Sequence, residues 1–373
     1  MARSFIFGLC AAALTGVLAL GASAQSYTQD REHQQYLQNQ AERDYQSSIM
    51  DLHNRQEEAT RDAWWKKPLP QDDPASTQRS VVATYTYIIY QHQDPIPVFT
   101  ERANNGDAQA ARGLGEMYAT GYGAPQDAEQ SAAWYGKAAD LGDTESQAIY
   151  GMLLITGNGV PRDAARGAVY LQAAADKGDI TATANLGLCY ELGDGVSQDS
   201  TEAARLYRIA ADQGNAAAET GLGRYEILGE GVPQDVNAGA AHLKAAADQG
   251  NVYAQAFYGV LLIRGLGDTP AAPYEAFRLL KLAAEKGSTM AQSQLAGMYN
   301  SGTGTDADID SAIYWWQKAA ENDDVDALAN LAITYYNGAG VPQDLQKALY
   351  YAQRAAALGD QQMAGMAQQI SGS

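Results

Sequence analysis

The chain has 373 residues, 46% of them hydrophobic, and carries 44 acidic against 25 basic side chains for a formal net charge of −19. Nucleic acid and anionic membrane surfaces are recognised through basic patches, so this balance argues against both as partners. It favours solubility and, if charge selects anything, a basic partner.

Residues 1–24 read as a secretory signal: Arg3 is the positive start, Phe5 to Leu20 the apolar stretch, and Ala22-Ser23-Ala24 a small-x-small cleavage site before Gln25. The short apolar run and that site argue against an N-terminal anchor, and no later stretch approaches spanning length. Phe7-Gly8-Leu9-Cys10 lacks the small residues expected before a lipidated cysteine. The expectation is a protein exported across the inner membrane and most at home in the periplasm. Cleavage removes one basic and no acidic residue, taking the charge from −19 to −20. It also leaves Cys189 as the lone cysteine, which can form no intrachain disulfide. Within Leu186-Gly187-Leu188-Cys189-Tyr190 it reads as a small buried hydrophobe rather than a nucleophile.

Residues 25–66 are rich in Gln, Glu, Arg and Asp, with Tyr36, Leu37, Tyr45, Ile49 and Leu52 among them. Two readings stay open: a polar helix that packs on the rest of the chain or on a partner, self-association included, and a loosely ordered arm. Residues 67–80, around Pro68-Leu69-Pro70, are a linker, and residues 81–105 an N-terminal capping region. In that cap Val81 to Tyr90 has strand composition but no sheet to join, so a helix is expected; Ile96 to Asn105 resembles the second helix of a degenerate repeat.

From Gly106 a segment of about 36 residues recurs seven times, as 106–141, 142–177, 178–213, 214–249, 250–286, 287–322 and 323–358. Glycine opens every copy but the seventh, where Asp323 stands, and Gly359 opens a C-terminal cap, 359–373. A fixed period of this length marks a solenoid, whose units bury their apolar faces against their neighbours. In the first copy Ala110, Leu114, Met117 and Tyr118 fall on one helical face; Gly121 and Gly123 break that helix; Asp127 caps a second; and Ala132, Tyr135, Ala138 and Ala139 form its stripe. Each copy is therefore an antiparallel helix pair. The glycine pair recurs, as at Gly193/Gly195, where left-handed backbone angles would cost other residues roughly 1–2 kcal/mol. Asp163, Asp199, Asp235, Asp308 and Asp344 repeat the cap, while the fifth copy lacks it and carries Pro270, Pro273 and one extra residue.

Leu-Gly-x-x-Tyr, then Gly-x-Gly-Val/Ala-Pro-x-Asp, then Ala-x-x-Tyr/Trp and Lys-Ala-Ala, kept over seven copies, resembles the Sel-one-like repeat family, a variant of the tetratricopeptide repeat. The resemblance covers about two thirds of the chain. It implies an all-α, right-handed α-solenoid of about seven tandem helix-turn-helix repeats, whose concave face binds proteins or peptides. Bacterial members are commonly exported, and some resemble regulators or assembly scaffolds of the envelope. A cysteine-rich branch linked to β-lactam binding or hydrolysis has a disulfide in each repeat; those cysteines are missing here, so that activity is not carried over.

No catalytic constellation is visible. His33, His53, His92 and His242 have no paired ligand spacing, and HExxH, CxxC and GxSxG are absent. The Gly-x-Gly pairs lack the third glycine and preceding strand of a phosphate loop. Asp306, Asp308 and Asp310 alternate as at the start of a calcium loop, but Ser311 and Gln317 occupy the required glycine and glutamate positions. No cofactor or metal is expected.

If the first helices line the concave face, Glu116, Met152, Leu188, Arg224, Val260, Gly297 and Ile333 share one lining position, and Ile155, Ile227, Ile263, Asn300 and Tyr336 another, with Arg112, Tyr253 and Arg264 nearby. The candidate binding residues are Arg112, Glu116, Met152, Arg224, Tyr253, Arg264 and Tyr336, on an apolar strip suited to an extended or helical segment. A second reading stays open, in which those aliphatics pack between layers. The expected function is a non-enzymatic, exported scaffold for a protein or peptide partner in the cell envelope; the alternative is an envelope enzyme or β-lactam-binding protein of the same family.

Overall fold

The computed structural model describes residues 95–121 and 123–372. The expected signal (1–24), polar arm (25–66), linker (67–80) and the Val81–Tyr90 part of the cap lie outside the described residues. The described residues form sixteen α-helices, with no strand beyond one isolated bridge between Leu266 and Thr269. They divide into two compact units, 95–213 and 214–372.

In the first unit α1 (Pro95–Asn104) precedes three helix pairs: α2 (Ala108–Thr120) with α3 (Ala128–Asp140), α4 (Thr144–Thr156) with α5 (Ala164–Ala175), and α6 (Ile180–Leu192) with α7 (Ser200–Ala211). The second unit holds four pairs: α8 (Ala216–Leu228) with α9 (Val236–Asp248), α10 (Val252–Arg264) with α11 (Pro273–Glu285), α12 (Thr289–Ser301) with α13 (Ile309–Glu321), and α14 (Val325–Asn337) with α15 (Leu345–Ala357). Helix α16 (Gln361–Ser371) packs on α15. Within each unit a helix packs mainly on its immediate neighbours in sequence, as in an all-α solenoid.

The starts of these helices are set by short polar side chains. Asp107, Asp143 and Asp179 cap the first helices of the first unit, and Asn215, Asn251, Ser288 and Asp324 those of the second; each accepts from a backbone N–H two or three residues on. Asp127, Asp163, Asp199, Asp235, Asp308 and Asp344 do the same for second helices, as the sequence predicts, and Asp360 caps α16. Such an acceptor satisfies an otherwise orphaned donor and contributes about 1 kcal/mol. Helix α11 has Ala272 at the cap position, with no side-chain bond, and starts on Pro273, which has no N–H to satisfy. The extra residue of the fifth copy is taken up just before it, in a tight turn where Leu266 and Thr269 exchange two backbone hydrogen bonds of 3.0 Å.

Turns between helices rest on left-handed backbone. Opening glycines such as Gly178 (φ +87°) have positive φ, and Asp323 (φ +57°) is the one non-glycine that does so among the described residues. Asp tolerates that region better than most residues, and the Asp323 carboxylate pairs with Arg354. The glycine pair does more than bend the chain. A Cβ on Gly195 would lie 2.1 Å from the carbonyl oxygen of Ala164, and one on Gly304 equally close to that of Pro273. At Gly159, Gly195 and Gly304 the second glycine therefore seats its turn on the start of the preceding copy's second helix, a close approach that the left-handed angle alone does not reveal.

The cores are built from the predicted stripes. Leu114, Leu154, Leu171 and Leu186 are buried in the first unit, and Leu222, Leu243, Leu280, Leu295 and Leu328 in the second, with alanines between them. Full burial of one such leucine is worth about 1.5–3 kcal/mol. At Gly151 a Cβ would come within 2.9 Å of the Gly167 carbonyl, so this glycine lets α4 and α5 touch backbone to backbone. Cys189 is buried in the first-unit core, and burial pushes its thiol up to about 12, consistent with an inert hydrophobe.

Candidate interaction surface

First helices bury positions 3, 4, 8 and 10 in every copy, which turns positions 2, 6, 9 and 13 outward in most. In the first unit this stripe includes Glu145, Ile149 and Met152 on α4 and Leu188 and Leu192 on α6. In the second it includes Arg224 and Leu228 on α8, Tyr253, Phe257, Val260 and Arg264 on α10, Met290, Gln294 and Gly297 on α12, and Asn330 and Ile333 on α14. Most of these side chains are half-buried.

The candidate residues fall into different environments. Arg112 lies off the stripe and joins α2 to α4. Its guanidinium pairs with Glu145, and lies 3.7 Å from both Asp143 and Glu116. Burial alone would lower its pKa, but Glu145, Asp143 and Glu116 outweigh that and raise it. Glu116 is buried beside it. Glu145 and Asp143 complete a charge cluster that the sequence reading missed; the cue was their place at the start of the next first helix, 33 and 31 residues on from Arg112. Met152 is half-buried against the cluster containing Ala168, Leu171 and Leu186.

In the second unit Arg224, Tyr253 and Arg264 lie on the stripe. The Arg224 guanidinium sits 5.4 Å from the centroid of the Tyr225 ring. Tyr253 is half-buried at the start of α10, and Arg264 is exposed at its end. Tyr336 belongs to the next position along, turned partly inward; its hydroxyl accepts from Gln369 Nε2 at 3.1 Å, beside a shallow pocket lined by Gln343, Leu345 and Ile370. At that same inward position Ile227 is buried, and Ile155 packs so closely on α5 that a Cβ at Gly167 would lie 2.7 Å from it. For these two isoleucines packing within the helix pair, the second reading left open by the sequence, describes the structure.

Two other features escaped the sequence reading. Tyr274, Tyr314 and Tyr350 stand exposed on second helices α11, α13 and α15, where helical spacing alone gave no cue beyond an apolar residue on a polar face. The glutamine of Pro-Gln-Asp also fastens its turn. The side chains of Gln126 and Gln234 donate to the carbonyls of Ala119 at 2.9 Å and Ile227 at 2.8 Å, each tying a turn to the helix it leaves. Asp308 bonds to the backbone N–H groups of Asp310 and Ser311 and to the Ser311 hydroxyl, the capping role the sequence assigns it. Among the described residues no group of three or more His, Cys, Asp or Glu is placed to hold a metal ion, and no helix is long and apolar enough to cross a membrane.

A comparison with curated proteins finds no match. Among solved structures, the chain is similar to c5321, a protective antigen present in uropathogenic Escherichia coli strains displaying an SLR fold, with 27% identity over 74% of this chain and 67% of that one and a TM-score of 0.55. It is similar also to a Sel1 repeat protein from Oxalobacter formigenes, with 28% identity over 68% of this chain and 96% of that one and a TM-score of 0.56. The Sel1 repeat model matches seven successive segments, 108–143, 144–179, 180–215, 216–251, 252–288, 289–324 and 325–360, each starting two residues after the opening position read from the sequence. With the helix pairs, caps and turns in the same frame, and with more than half of its residues matched, the chain belongs to the Sel1 repeat family, a protein-interaction fold.

Proposed function

We propose that this chain is an exported, non-enzymatic scaffold that holds a protein or peptide partner in the cell envelope. The observation that carries the binding role is the outward stripe of the first helices. In the second unit it sets Tyr253, Phe257, Val260, Met290 and Ile333 beside Arg224 and Arg264, a mixture of aromatic, aliphatic and arginine side chains typical of protein contacts. Export rests on the sequence of residues 1–24, with its positive start, apolar stretch and Ala22-Ser23-Ala24 site. The non-enzymatic reading is supported by the residues themselves: Cys189, the most nucleophilic side chain described, is buried with its thiol held protonated, and Asp308 is engaged as a helix cap.

The test is affinity capture with mature protein recovered from the periplasm, its N-terminus read first and expected to be Gln25. Wild type and Arg224→Glu/Tyr253→Ala are exposed to envelope extract. One dominant protein bound by wild type and lost in the double variant is the expected result. The same partner retained by both moves the site elsewhere. No partner, with turnover of an added β-lactam, would replace this reading with the enzymatic one.

A further inference from the structure

Within the second unit, position 9 of the first helices is filled by Arg224 on α8, Val260 on α10 and Ile333 on α14, but on α12 it is Gly297. A Cβ built there meets nothing within 4 Å. Val260 and Ile333 are both half-buried, packed against clusters to which α12 contributes Ala296 or Leu295. The row therefore has a gap one side chain wide, with aliphatic groups at the same level on the helices to either side. At position 8 of the first helices the glycines have a packing reason, as Gly223 shows: a Cβ there would lie 2.8 Å from the Gly239 carbonyl. Gly297 has none, and an interior helical glycine is disfavoured by about 1 kcal/mol relative to alanine.

The surroundings define what would fill the gap. Helix α12, Thr-Met-Ala-Gln-Ser-Gln-Leu-Ala-Gly-Met-Tyr-Asn-Ser, contains no charged residue in a chain of net charge −19. Met290 is exposed one end of the helix away, and Gln294 and Asn300 add side-chain amides. Each amide is both donor and acceptor, the chemistry that pairs with a peptide backbone without charge. We propose that the gap at Gly297 is an anchor pocket that takes one bulky apolar side chain of an uncharged, extended peptide segment of a partner protein. The inference rests on the scaffold reading above and adds to it the anchor and the chemistry of the partner.

The probe is a displayed library of random linear peptides selected on the full mature chain, with Gly297→Leu, Gly365→Leu and Arg224→Glu/Tyr253→Ala as variants. Gly365 is the control, a second helical glycine whose Cβ would meet nothing within 4 Å, on α16 outside the row. Selected peptides are expected to share a bulky apolar residue. Their binding should fall at least about tenfold in Gly297→Leu, whose melting temperature should not drop, and stay unchanged in Gly365→Leu. Replacing the shared residue with alanine should cost as much, with no further loss when both changes are combined. Peptides that bind Gly297→Leu as tightly as wild type, or that Gly365→Leu also loses, overturn the pocket. If such peptides are lost by Arg224→Glu/Tyr253→Ala, the scaffold reading survives that failure; if no peptide is selected, both fall.

Discussion

Glycine at one position can answer two demands that look alike in a sequence. Gly178 and Gly195 have φ of +87° and +78°, so both resist a side chain for the same backbone reason. They differ in what a Cβ would meet: nothing within 4 Å at Gly178, but the Ala164 carbonyl at 2.1 Å at Gly195. Gly178→Ala should therefore cost roughly 1–2 kcal/mol from the left-handed angle alone. Gly195→Ala should cost clearly more, because the turn must lift off α5 and lose packing between copies. Equilibrium unfolding in urea of the two variants checks this, and equal losses would mean the turn is not seated as described. From the sequence, the glycine pair spoke only of turn geometry, and a Gly195→Val cost of roughly 1–2 kcal/mol was its natural consequence. The contact was not legible because it joins residues 31 positions apart, in a turn and at a helix start.

The element is the scale at which this sequence speaks most plainly. Periodicity and breakers mark both helices of every copy, because the glycines and caps recur at the same offsets in nearly all of them and local propensity agrees with the tertiary plan. What the period could not give was the environment of each cap. Asp324, N-cap of α14, accepts from the Ala327 N–H and from the Ser293 hydroxyl at 2.9 Å. Burial pushes its carboxyl up to about 6, against the downward pull of those hydrogen bonds, and nearby Asp326 adds to the rise. A raised carboxylate pKa means that the folded state holds the proton more tightly than the unfolded one. Stability from this group is thus greatest below the unfolded value of 3.8 and is lost as pH rises through about 6. The corresponding loss is on the order of 3 kcal/mol. Asn215 and Asn251 perform the same capping role without charge. Asp324→Asn should therefore raise the melting temperature at pH 8, with the gain shrinking towards pH 4. A variant no more stable than wild type at pH 8 would show that the buried charge is otherwise compensated.

At the scale of the whole molecule, the charge of −19 takes on a different meaning once the caps are placed. Eleven aspartates among the described residues are helix N-caps, where a negative charge also suits the positive end of the helix dipole. A quarter of the 44 acidic residues thus serve to start short helices, and that part of the charge says little about a basic partner. The fold was legible because seven copies repeat one set of instructions. The binding surface was only partly so: the outward register of Met152, Arg224 and Val260 follows from the period, whereas the Arg112 pairings depend on the next copy and the inward turn of Ile227 on its partner helix α9. The exposed tyrosines of α11, α13 and α15 form the rival surface, since tyrosine is common in protein contacts.

The measurement that separates the two surfaces is in-cell photo-crosslinking, with a photoreactive residue placed at Met290 on the first-helix row or at Tyr314 on a second helix. Both positions are exposed, so neither substitution disturbs a core. A discrete crosslinked partner from position 290 and none from 314 is the predicted result. A partner captured from position 314 alone would contradict the account and move the working surface to the second helices.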